Sequence, residues 1–202
     1  MNLVIVSIPG GGKGTLCSQL SNKGYIVITA GDLLRKEKNS GSDLGKSISE
    51  LIDGGNLVPD SIITSLIESE LEKYKITSRN DMYKATKHID PKLNFVFDGY
   101  PRSLVQSRYL DSIIGIDLCL NLEVSNDIVI NRILERGKSS GREDDSNIEI
   151  IEKRLENYYN DTFPVLKYYR NSKRLLVIDG SKSKEEVYKA VINNLRNFEY
   201  NV

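Results

Sequence analysis

Two cysteines and one histidine in 202 residues remove whole classes of chemistry. Cys17 and Cys119 are too few and too far apart for a disulfide framework or a zinc ribbon, so both are expected as small buried apolar residues. His88 stands alone in a polar, lysine-rich stretch, which argues against a Ser-His-Asp or Cys-His mechanism and for an exposed side chain. Charge of one sign is missing too. Lys+Arg and Asp+Glu number 28 each, so bulk electrostatics favour neither nucleic acid nor an anionic membrane as partner, and any anion site must be local. Long apolar runs are also lacking. The first, Leu3 to Ile8, is too short for a signal h-region or a transmembrane span and runs straight into glycines, an expectation of a cytoplasmic protein.

What remains is a chain with 39% hydrophobic residues, enough to bury one substantial core. Short β-branched runs recur at Leu3–Val6, Tyr25–Ile28, Phe95–Phe97, Leu118–Leu120 and Leu175–Ile178. Helix-length amphipathic stretches lie between them. This alternation predicts an α/β fold with a five-stranded parallel sheet covered on both faces by helices. Helices are expected over Lys13–Ser21, in two or three pieces from Gly31 to Glu72, and onward from Ser103, Asn126, Asn147 and Lys184. Residues 73–94 are polar, contain Pro91 and show no clear period. They read as a surface loop or insertion, an elaboration or a partner-binding element.

The first strand ends in Ser7-Ile8-Pro9-Gly10-Gly11-Gly12-Lys13-Gly14-Thr15, directly before a predicted helix. Residues without Cβ let consecutive N–H groups curl around phosphate oxygens at a helix N-terminus, and Lys13 supplies charge for the outer phosphates. Two positions depart from G-x-x-x-x-G-K-[ST]: Ser7 replaces the first glycine, and Gly14 replaces the hydroxyl residue. A magnesium ion bound with the nucleotide is therefore expected to be held mostly through water.

Pro9 to Thr15 resembles the phosphate loop of the adenylate kinase and UMP/CMP kinase family. The resemblance continues through Thr29-Ala30-Gly31-Asp32-Leu33-Leu34-Arg35, Leu57-Val58-Pro59, Asp98-Gly99-Tyr100-Pro101-Arg102 and Arg132 to Asp145, in the family's order. It implies a P-loop kinase of one domain that transfers a phosphoryl group from ATP to a nucleoside monophosphate. Its core would be 1–28, 59–136 and 146–202, with a monophosphate-binding helical segment over 29–58 and a short lid over 137–145. The implied state is a monomer with small-molecule substrates only.

Phosphoryl transfer gathers negative charge, so converging arginines matter more than covalent chemistry. The resemblance assigns ATP to Gly10, Gly11, Gly12, Lys13, Gly14, Thr15, Arg132 and Arg136, with Arg132 on the base and Arg136 on the phosphates. It assigns the monophosphate to Thr29, Ala30, Arg35, Val58, Gly99, Arg102, Gln106, Arg142 and Arg154, with Arg35 and Arg102 gripping its phosphate. Lys13, Asp98, Arg102, Arg136, Arg142 and Arg154 are the implied catalytic set, Asp98 anchoring the water shell of Mg²⁺. A turn residue before Gly99 is the lesser alternative for Asp98, whereas Arg132 and Arg136 taken alone read rather as a surface stripe paired with Glu135 or Asp127. The lid holds no cysteine, which rules out the zinc-bearing long form. Arg142 is the residue such a lid would deliver.

Ser146-Asn147-Ile148-Glu149 reads as a capping box for the helix carrying Arg154. Relative to the family pattern, one extra residue precedes Arg154. Absorbed in the turn, it leaves Arg154 facing inward; inside the helix, it rotates the side chain by roughly a quarter turn. The base is contested as well. Ala30 resembles pyrimidine monophosphate kinases, whereas Gln106 resembles AMP-using relatives and offers both a donor and an acceptor to an adenine edge. AMP is favoured, with UMP/CMP kinase as the alternative. A P-loop GTPase lacks its base-reading motif here, since Asn22-Lys23-Gly24-Tyr25 has no Asp. A non-catalytic nucleotide-binding protein stays open.

Overall fold

The protein is described by a computed structural model covering residues 1–78, 86–140, 145 and 147–200. The five apolar runs are five parallel strands: β1 (Leu3–Ser7), β2 (Ile26–Thr29), β5 (Phe95–Asp98), β6 (Leu118–Glu123) and β7 (Leu175–Asp179), in the order β2-β5-β1-β6-β7. Alternate residues of β1 serve the two faces. Val4 and Val6 pack with α4 (Asp60–Glu72), α5 (Leu104–Ile113), α6 (Asn126–Ser140), α7 (Ile148–Asn157) and α8 (Phe163–Asn171). Leu3 and Ile5 pack with α1 (Lys13–Ser21) and α9 (Lys184–Tyr200). Strands buried on both faces read as continuous apolar runs, which is why β1, β5 and β6 stood out; the edge strands β2 and β7 are only partly buried.

Register positions the chemistry. Ile5 is level with Asp98, Asp98 with Thr29, and Ser7 with Leu122, so four strand ends meet at one edge of the sheet. The chain leaves β1 toward β2 on one side while β6 lies on the other. Open α/β sheets place ligands in the crevice at such a reversal.

The stretch from Gly31 to Glu72 resolves into α2 (Ala30–Asn39), α3 (Asp43–Asp53) and α4. Residues 73–94 are not a structureless loop: β3 (Lys75–Ser78) pairs antiparallel with β4 (Thr86–Ile89) in a separate two-stranded sheet. The N-cap of α7 is Asn147, whose Oδ1 accepts from the N–H groups of Glu149 and Ile150. The predicted box is thus displaced by one residue. The helix α6 continues through Ser140, so residues 137–140 form its last turn. A π-helical turn, Tyr158–Thr162, joins α7 to α8. Cys17 and Cys119 are both buried and unbridged, and burial pushes both thiols up. His88 is exposed on β4. Among the described residues no helix is long and apolar enough to cross a membrane.

Candidate active site

At that sheet edge opens a cleft of about 1040 Å³. Every residue singled out above for ATP, the monophosphate or catalysis lines it, except Arg142, which lies outside the described residues. The cradle is built by close approach. Gly10 has φ +81°, and a side-chain carbon there would come within 2.8 Å of Ile133 Cγ1 and 2.9 Å of the Val129 carbonyl on α6. Only glycine lets the loop lie against that helix. Ser7, at the position where the general pattern has glycine, is buried and donates its hydroxyl to the Leu122 carbonyl at 2.7 Å.

Lys13 curls back over the loop and donates to the carbonyls of Ser7 at 2.8 Å and Ile8 at 3.2 Å. Desolvation, offset by Asp98 and reinforced by Arg102 and Arg154, lowers its pKa to about 8. The ammonium is therefore short of negative charge until an anion arrives. Arg102 lies beside it, its Nε donating to the Gly99 carbonyl at 2.9 Å. Arg35 pairs with Asp32 one turn back on α2. Arg132 reaches across to the carbonyl of Gly180 at 3.0 Å, tying α6 to the loop before α9.

Asp145 organises the remaining arginines. It has no exposed surface and accepts from Arg136 Nε at 2.6 Å, Arg136 Nη2 at 2.9 Å and Arg154 Nη1 at 2.9 Å. Burial alone would raise its carboxyl, but the two guanidiniums hold it below the usual carboxylate range. Arg154 faces the cleft, the inward of the two orientations the extra residue left open. On the other wall, Gln106 is buried and its amide bonds Asp60 and the Arg102 backbone. Ala30 and Val58 line the same cleft, are buried, and have no polar side-chain group to offer.

Comparison with known proteins places this geometry. The adenylate kinase family model matches residues 5–174. The chain belongs to the adenylate kinase family. It is 32% identical to an adenylate kinase of Maricaulis maris, over 93% of this chain and 94% of that one. An adenylate kinase of Flavobacterium psychrophilum shares 33% over 96% and 100% of the two chains, and one of Parabacteroides distasonis 35% over 97% and 100%. Membership makes the chain a phosphotransferase with the P-loop kinase fold.

Within this adenylate kinase family member, three contributors escaped sequence reasoning. Asp60 and Asp145 act through tertiary pairs, the first 46 residues from its partner; nothing local marks Asp60, and Asp145 stood only as the last residue of a resembling block, with no role of its own. Asn157 donates to the Gly55 carbonyl at 3.1 Å, fastening the loop between α3 and α4 to α7. Its only signal was its place three residues after Arg154.

Proposed function

We propose that this protein is an adenylate kinase in the strict sense, transferring the γ-phosphoryl of ATP reversibly to AMP with Mg²⁺ to give two ADP. It would act as a cytoplasmic monomer, with residues 29–58 receiving the monophosphate and 137–145 serving as a short lid. The observation that carries this reading is the convergence of Lys13, Arg102, Arg136 and Arg154 on one cleft that also holds Asp98 and Gln106. ATP phosphates fit the cradle, where Lys13 and the loop N–H groups await negative charge. The monophosphate's phosphate fits between Arg35 and Arg102, and planar guanidiniums grip two oxygens at once.

Asp98 is the strand-end carboxylate that this edge offers a metal, electrostatically coupled to Lys13 and Arg102. Among the described residues no group of three or more His, Cys, Asp or Glu side chains forms a cage. That donor set fits Mg²⁺, which keeps several waters and takes its other ligands from substrate phosphates. When bound, Mg²⁺ neutralises charge on the phosphates. The arginines orient the donor and acceptor in line and oppose the charge that develops between them. A closed cleft also excludes water, the competing acceptor.

Ala30 supports a second reading, UMP/CMP kinase, because it leaves the base pocket without a hydroxyl at that point. A panel of AMP, CMP, UMP, GMP and dAMP with ATP and Mg²⁺ separates the two. AMP is expected as best acceptor; preference for UMP or CMP selects the second reading. Absence of any monophosphate-dependent ADP production selects a non-catalytic nucleotide-binding protein.

A further inference from the structure

Both ends of the Gln106 amide are engaged. Its Oε1 accepts from the Arg102 backbone N–H at 2.6 Å, and its Nε2 donates to Asp60 Oδ1 at 2.6 Å. The other Asp60 oxygen accepts from Ser103 Oγ at 2.8 Å, and Ser103 caps α5 by accepting from the Gln106 N–H at 3.2 Å. A backbone N–H can only donate, and a carboxylate can only accept. Flipping the amide by 180° would set donor against donor at Arg102 and acceptor against acceptor at Asp60. Gln106 is only 5% exposed, so water does not make good that loss.

One N–H and one lone pair of the amide remain, in a fixed order. Adenine presents an amino donor beside a ring-nitrogen acceptor, and cytosine presents the same pair. Hypoxanthine, guanine and uracil present the reverse, an oxo acceptor beside a ring N–H. We infer that Asp60 is a positioning residue that locks the Gln106 amide in one orientation, so that the cleft selects monophosphates with an amino base edge and rejects those with an oxo edge. This deepens the proposed function and rests on Gln106 facing the acceptor base.

The test compares kcat/KM for AMP and IMP, which differ at that edge, in the unmodified protein and in Asp60→Asn, with dAMP as a control that keeps the edge and changes the sugar. AMP should exceed IMP by a hundredfold or more in the unmodified protein, since a site built to hydrogen-bond rejects the mismatched group strongly. Asp60→Asn should narrow that ratio about tenfold, the scale of one charge-assisted hydrogen bond, and leave AMP/dAMP unmoved. An unchanged AMP/IMP ratio in folded Asp60→Asn overturns the lock while leaving AMP phosphorylation standing. Failure of the unmodified protein to phosphorylate AMP overturns both. A second measurement needs no variant at position 60. In ¹⁵N-labelled protein the Gln106 side-chain NH₂, identified by its loss in Gln106→Leu, should show one proton protected from solvent exchange; two freely exchanging protons overturn the lock.

Discussion

The cations around the cleft rest on two kinds of partner. On the cradle side, Lys13 leans on the Ser7 and Ile8 carbonyls and Arg132 on that of Gly180. On the side toward residues 137–145, Arg136 and Arg154 share the carboxylate of Asp145. Neutral acceptors are readily given up to an incoming phosphate, whereas a carboxylate with no exposed surface competes with it. The cradle is thus poised to receive charge, and the opposite wall is held together by an anion of its own.

Breaking the cradle should cost most. Lys13→Ala is expected to lower phosphoryl transfer by a hundredfold or more, about 3 kcal/mol of transition-state stabilisation, with the protein still folded. Steady-state kinetics with circular dichroism check it, and activity within a few-fold of the unmodified protein would remove Lys13 from the chemistry.

Breaking the opposite wall should register first as stability. Asp145→Asn keeps the shape but removes the charge that two guanidiniums share, and should cost about 2 kcal/mol in urea unfolding. If Lys13→Ala destabilises the fold as much as Asp145→Asn does, the distinction between the two sides fails.

The third test sharpens the cradle half through pH. Lys13 titrates near 8 in the free protein, and a bound phosphate favours its charged form, raising that value. Binding of ATP must then take up protons as pH rises through 8. Affinity should be full below that value and fall about tenfold between pH 7 and 9. Calorimetry in buffers of different ionisation enthalpy should show that uptake near pH 8.5 in the unmodified protein and its absence in Lys13→Ala.

How much of this could be read beforehand follows from where the physics is local. The central strands β1, β5 and β6 announced themselves because they are buried on both faces, the edge strands β2 and β7 through their β-branched runs, and the cradle because tight backbone curvature demands glycine at neighbouring positions. The pairing of β3 with β4 was hidden for the opposite reason. Lys75–Ser78 and Thr86–Ile89 have no alternating apolar pattern in sequence, because that ribbon lies outside the main sheet. The displaced cap on α7 turned on whether Ser146 or Asn147 supplied the acceptor, a choice between two suitable residues that composition does not decide. Asp60 was silent, and Asp145 legible only as the end of a resembling block, because their pairings lie in partners brought near by the fold. Gln106 was legible as a base-facing candidate, yet the contacts that orient it were not.

The hydroxyl of Ser7 carries a consequence for how this loop can change over time. A carbon added to Gly11 would fall 1.9 Å from Ser7 Oγ and 3.0 Å from the Ile8 carbonyl. While Ser7 keeps this rotamer, a side chain at position 11 must displace its hydroxyl and with it the bond to the Leu122 carbonyl. Ser7→Gly would remove the worse obstacle, so the two substitutions are epistatic, with a penalty for the second that depends on whether the first has already occurred. The order of the steps therefore matters: gaining the carbon costs less in a lineage that has already lost the hydroxyl.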